Sequence, residues 1–263
     1  MVFTVKNGDV DLLCEKTGEG ENLLLIHGSI CDSSYFDGAK EYLSKNYTVI
    51  TYDRRGYTNS PYVLGGDYSI STQASDAAAV IEAVGGQALV AGCSAGGVIA
   101  LELARKYPKM VKKLFLHEPP IAVMYGHRDD FLAWGKELRE LADNKKLAKA
   151  LSCFVGAIGG ADPRGVKRSI EEQKRDLDTL PALLYGELDD IIGYLPEETR
   201  KINLEMPCTV AMGEKDTEGL FHHTAPSIAD MLGAQLLRVP GYHNFAHDLP
   251  YDFAVAVTGV MSI

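Results

Sequence analysis

Short apolar runs alternate with longer amphipathic stretches along most of the chain. Leu23-Leu24-Leu25-Ile26 is a continuous apolar run, as expected of a strand buried on both faces. Further strands are predicted at residues 47–52, 89–91, 111–117, 207–212 and 235–239. Helices are predicted between and after them, at 35–43, 71–84, 221–232 and 249–260, with another running from the turn after 91 to about 106. Residues 2–5 and 10–15 read as two short strands joined at Asn7-Gly8, a strong hairpin signal. Strands alternating with helices predict an α/β fold, a mostly parallel sheet with helices on both faces.

The alternation stops between Ile121 and about Glu205. No buried strand is legible there. Helical patterns occupy 129–143, 145–154 and 164–177, broken by Gly159-Gly160-Ala161-Asp162-Pro163 and punctuated by Pro181 and Pro196. The expected organisation is a core of residues 1–118 and 206–263, with 119–205 inserted as a helical lid over the carboxyl edge of the sheet.

A chain of 263 residues suits one α/β domain carrying an insertion. Its apolar and charged fractions, 46% and 24%, are those of ordinary soluble proteins, so neither disorder nor a membrane span is indicated. A formal net charge of −10 argues against nucleic acid or an anionic membrane as partner. The first residues lack the basic and apolar regions of a signal peptide. The five cysteines are scattered without C-x-x-C, which points to a reduced, cytoplasmic protein without disulfides or structural zinc.

Candidate chemistry sits just after predicted strands, where active groups collect in such sheets. Gly92-Cys93-Ser94-Ala95-Gly96 is G-x-S-x-G between a strand and a helix. A turn that sharp would lift the Ser94 hydroxyl above the sheet edge and set the Ala95 amide at a helix N-terminus. The alternative is a plain glycine-rich turn with an incidental serine. A serine needs a base, and the base an orienting carboxylate. Among seven histidines His243 is the best base, because it follows a strand and a Pro-Gly turn late in the chain. The acid is Asp216, after the penultimate strand, or Glu118, between an apolar strand and Pro119-Pro120. Asp216 is slightly preferred. The backbone N–H groups of Ser29 and Ala95 would form an oxyanion hole. His27 supports that loop, His127 and His247 line the pocket, and His222-His223 is a solvated or capping pair. Cys93 is a small buried side chain.

These pieces together resemble the α/β-hydrolase superfamily over nearly the full length: His27-Gly28-Ser29, Asp53-Arg54-Arg55-Gly56, the Ser94 elbow, Gly213-Glu214-Lys215-Asp216 and Pro240-Gly241-Tyr242-His243. The resemblance implies a mostly parallel eight-stranded sheet, a helical cap after the sixth strand, and neither cofactor nor metal. It implies Ser94 as nucleophile, His243 as base and Asp216 as acid. His117-Glu118-Pro119-Pro120, however, resembles a subgroup, including some fungal lactone hydrolases, whose acid is a glutamate after the sixth strand. The expected function is a serine hydrolase cleaving small to medium carboxylic esters or lactones through an acyl-enzyme. Other reactions on the same triad are the alternative: C–C bond hydrolysis, thioester hydrolysis or perhydrolysis. So is a slow-turnover ligand sensor. The expected partner is the small-molecule ester or lactone alone, with no nucleic acid and no membrane, in a monomer or homodimer. Ile121, Met124, Tyr125, Phe131, Trp134, Leu151, Phe154 and Tyr185 would supply lid core and an apolar pocket.

Overall fold

In a computed structural model, residues 1–61, 63–121, 128–158, 169–194, 202–217 and 220–262 are described. Met124, Tyr125, His127, Pro196, the break at 159–163 and the start of the helix expected from 164 lie outside them. Eight strands form one sheet: β1 (Val2–Asn7), β2 (Val10–Thr17), β3 (Glu21–Ile26), β4 (Tyr47–Tyr52), β5 (Ala88–Cys93), β6 (Val111–His117), β7 (Cys208–Gly213) and β8 (Gln235–Val239). Their order is β1-β2-β4-β3-β5-β6-β7-β8, antiparallel through β2 and parallel from β4 onward.

The period-2 alternation of strand side chains assigns each face its own helices. Leu24, Ile26 and Val90 pack with α2 (Ile70–Ala83), α3 (Ala95–Lys106) and α8 (Leu220–Leu232). Leu23, Leu25, Leu89 and Ala91 point the other way, onto α1 (Asp37–Leu43), α9 (Phe245–Asp248) and α10 (Pro250–Met261). With both faces covered, strands such as β4 and β5 are buried at every position, which is why neither carries a charged residue.

Between β6 and β7 the described residues form α4 (Arg128–Asp143), α5 (Leu147–Ile158), α6 (Ile170–Pro181), one π-helical turn (Ala182–Glu187) and α7 (Leu188–Gly193). α6 begins on a reciprocal capping box between Ser169 and Glu172. Pro181 punctuates the sequence but does not end the helix. The chain stays helical through it and widens into the π turn, a local accommodation of a residue that supplies no N–H. The helical layer has its own apolar cluster, containing Leu138, Phe154, Leu180 and Leu188, with Phe131, Trp134 and Leu151 packed against it. Tyr185 departs from the expectation. It is 44% exposed, and its hydroxyl donates outward to Asp143 at 2.5 Å.

Among the described residues no helix is long and apolar enough to cross a membrane.

Candidate active site

The register of the three central strands aligns their carboxyl ends. Cys93 pairs with His117, and His117 with Ala211. The ladder continues one residue further: Ser94 N–H donates to His117 O at 2.8 Å, and Glu118 N–H to Ala211 O at 3.0 Å. Ser94 and Glu118 are therefore pinned side by side on the sheet edge. Both backbones are left-handed there, at φ 55° and 47°. Non-glycine residues hold that conformation where the surroundings over-determine it, and such strain clusters at active sites. At Ser94 the fixing elements are glycines. A Cβ on Gly96 would strike the carbonyl oxygens of Ile26 and His27, so only glycine lets α3 start this close to β3.

His243 arrives from the loop between β8 and α9, is 7% exposed, and is held on two sides. Its ring stacks flat on Phe221, with centroids 4.1 Å apart and planes 6° from parallel. Its Nδ1 lies 2.7 Å from Glu118 Oε2, while Glu118 Oε1 accepts the Gly213 N–H at 2.7 Å. Burial alone would raise the Glu118 carboxyl, but the neighbouring His117 and His243 imidazoles and the Gly213 N–H bring it below the usual carboxylate range. An ionised carboxylate only accepts, so Nδ1 of His243 carries the proton and Nε2 keeps its lone pair.

Asp216, the acid preferred from sequence, does not hold that bond. It sits in the turn after β7, its N–H donating to Gly213 O and its carbonyl accepting from His222 Nδ1 at 3.2 Å. The left-handed turn at Glu118, rather than position along the chain, decides which carboxylate meets the imidazole.

Ser94 and His243 both line one cavity of about 520 Å³, together with Gly28, Ser29, Tyr35, Asp176 and Asn244. A narrow apolar cleft of about 50 Å³ opens off Ser29 and Ser94 toward Phe131, Trp134, Leu188 and Ile192. Ala95 is the first residue of α3, so its N–H has no partner within the helix. The Ser29 loop lies against the serine, since a Cβ placed on Gly28 would be 3.6 Å from Ser94 Oγ. Cys93 is buried, and burial pushes its thiol well up, as suits a packing side chain. His247 lies elsewhere than the expected pocket lining. Its Nδ1 meets Asp248 at 2.9 Å and its Nε2 meets Glu172 of α6 at 3.0 Å, and these carboxylates raise its pKa.

Residues that sequence reasoning passed over are Phe221, which precedes the His222-His223 pair, and Glu187, on the π turn. Glu187 is buried and receives the Arg54 guanidinium at 2.6 Å. Burial would raise its carboxyl, but Arg54 dominates and takes it down to about 2. Phe221 opens a helix predicted from its apolar period, and Glu187 falls in none of the predicted helices.

His27 and His117 are both fully buried, and burial first of all pushes each down to about 4. Between roughly pH 6.5 and 4 the unfolded chain takes up protons that the folded chain refuses, so stability falls as pH drops through that window. At about 1.4 kcal/mol per pH unit, the loss approaches 3 kcal/mol for each histidine by pH 4. His247 acts in the opposite sense: its contribution is present below the ordinary histidine value and lost as pH rises past its raised one. Urea midpoints should therefore decline as pH falls from about 6.5 to 4.5. A flat profile across that window would contradict these assignments.

Comparison with known proteins agrees with the fold. The family model for the alpha/beta hydrolase fold matches residues 21–151. An uncharacterised hydrolase of Bacillus subtilis, YraK, is 33% identical over 253 residues, covering 92% of this chain and 90% of that protein. The pimeloyl-[acyl-carrier protein] methyl ester esterase of Nitrosospira multiformis is 29% identical over 144 residues, about half of each chain (52% and 53%). The crystal structure of a hydrolase from Pseudomonas aeruginosa superposes with a TM-score of 0.76 at 19% identity, covering 100% of this chain and 98% of that one. The chain belongs to the α/β-hydrolase family.

Proposed function

We propose that the protein is a serine hydrolase of carboxylic esters or lactones of small to medium size, working through an acyl-enzyme. The observation that carries this reading is the convergence on one cavity of Ser94, on its strained elbow, and His243, whose far nitrogen is bonded to buried Glu118. Nε2 of His243 takes the Ser94 proton as Oγ attacks the carbonyl carbon. The Ala95 and Ser29 N–H groups receive the oxyanion. The protonated imidazole then delivers its proton to the leaving alcohol. Water repeats the sequence in reverse to free the acid.

The side chain at 94 restricts the chemistry. Alkyl transfer to a serine would leave an ether that water does not cleave, whereas an acyl ester turns over, which favours acyl transfer. The apolar cleft beside Ser94 and the helical layer above it suit an uncharged carbon chain and exclude water. By this reading that layer is the cap.

The test is a panel of p-nitrophenyl acetate, butyrate and octanoate with γ- and δ-lactones and acyl thioesters. Hydrolysis of the oxyesters or lactones, with stoichiometric acylation of Ser94 trapped by mass spectrometry, is expected. Preference for thioesters would reassign the substrate class. Absence of turnover on every member, with no label at Ser94, would remove the proposal.

A further inference from the structure

The loop from His27 to Ile30 carries the Ser29 N–H, whose importance rests on the serine-hydrolase reading. Ile30 is β-branched yet sits at φ 55°. A residue of that kind stays there only when its surroundings force it. The forcing contacts come from the helical layer. Ile30 is buried in that layer's apolar cluster beside Leu180 and Leu184. Ser29 Oγ donates to Glu187 Oε1 at 2.7 Å.

Glu187 does more than receive the serine. It accepts from Arg54 Nη1 (2.6 Å) and Nη2 (3.2 Å), from Gln73 Nε2 (2.9 Å) and from the Tyr57 hydroxyl. Arg54 Nη2, held there, also donates to the Gly28 carbonyl at 2.8 Å. The Arg54 backbone N–H donates to His27 Nε2 at 3.1 Å, which leaves the proton on Nδ1, and Nδ1–H gives the same Gly28 carbonyl a second bond at 2.8 Å. That carbonyl belongs to the peptide unit whose other end is the Ser29 N–H. The unit is planar and trans, so fixing its oxygen aims its hydrogen the opposite way. These two donors, with the weaker Cys31 thiol at 3.5 Å as a third, thus set the direction of an oxyanion-hole N–H, and the charged one is anchored by Glu187.

We propose that Glu187 is the positioning residue of the oxyanion loop. It acts through Ser29 and Arg54, and it makes the loop's working conformation conditional on the helical layer being seated on the sheet.

The test compares Glu187→Gln with Arg139→Ala, which breaks a more exposed pair of the same layer (Arg139 Nη1 to Asp189, 2.9 Å). Three readouts are taken: kcat and KM on p-nitrophenyl butyrate, the rate at which a fluorophosphonate phosphonylates Ser94, and thermal unfolding, so that assays run well below each transition. Glu187→Gln is expected to lower kcat and the phosphonylation rate by roughly 10- to 100-fold with KM within about threefold, a misaligned rather than a lost oxyanion donor. Arg139→Ala, which also gives up the Nη1 bond to the Leu184 carbonyl (3.2 Å), should stay within about twofold of the parent, as expected of a partly exposed pair that does not touch the oxyanion loop. A Glu187→Gln enzyme within twofold of the parent, or one changed only in KM, overturns the assignment. Should that variant not fold, Ser29→Ala keeps every Arg54 bond and decides: a drop in kcat of at least about fivefold at steady KM supports the assignment, and unchanged kcat overturns it. Parent enzyme that the probe does not label at Ser94 defeats the serine-hydrolase reading and this inference together. Parent and Glu187→Gln labelled equally fast defeat the inference alone.

Discussion

Replacing Ser94 by alanine is expected to lower kcat on p-nitrophenyl butyrate by roughly 10⁶ while leaving substrate binding and the fold in place. The hydroxyl is the only atom lost. Alanine keeps the Cβ and accepts the same left-handed backbone as well as serine does, so the elbow at φ 55° is strained no further. The Ser94 N–H bond to His117 O and the start of α3 are backbone features that survive. Stability should shift by about 1 kcal/mol or less, read as a thermal midpoint within a few degrees of the parent. Donors at Ala95 and Ser29 would remain to stabilise an oxyanion formed by direct attack of water, which leaves a residual rate of about 10³–10⁴ over the uncatalysed reaction. Cys31 lines the same cavity, so a thiol is the obvious competitor for the nucleophile's role. A loss of less than about tenfold in Ser94→Ala, with the remaining activity abolished by iodoacetamide, would transfer the role to that thiol.

Much of this molecule is legible in its sequence, for identifiable reasons. The central strands are buried on both faces over most of their length, so each carries an apolar stretch, and the ends read from sequence agree with the structure to within a few residues. The elbow is legible because its glycines answer backbone collisions with Ile26 and His27 that any side chain would suffer. Partnerships across the chain are not legible in the same way. Glu187 lies in Leu-Leu-Tyr-Gly-Glu-Leu-Asp-Asp, a stretch outside the helical patterns read at 129–177, and its partner Arg54 is 133 positions away. Pro181 looks like a stop signal, and only the packing of Leu183 and Leu184 into the layer's core shows why helix continues past it. The choice between Glu118 and Asp216 belongs to the same kind. Both follow apolar strands, and the decision lies in one φ angle and one N–H on a neighbouring strand.

That choice sets the second large effect. Glu118→Gln is expected to lower kcat by roughly 10⁴, and Asp216→Asn by less than about tenfold. The glutamate uses both oxygens as acceptors, one for His243 Nδ1–H and one for the Gly213 N–H. Glutamine has one acceptor and one donor in their place. With its NH₂ toward His243, the imidazole must move its proton to Nε2, the nitrogen facing the cavity, and can no longer accept from Ser94. With its NH₂ toward Gly213, two buried N–H groups confront each other, which costs about 1–3 kcal/mol of stability. The main-chain N–H cannot change its proton and the imidazole can, so the first orientation prevails and the inactive tautomer results. Asp216→Asn leaves both of these bonds in place, because Asp216 is a partner in neither. Steady-state kinetics on both variants, with circular dichroism to confirm folding, measures the difference. If Asp216→Asn proved the more damaging, the carboxylate serving His243 during turnover would be Asp216, and the turn after β7 would have to rearrange to bring it there.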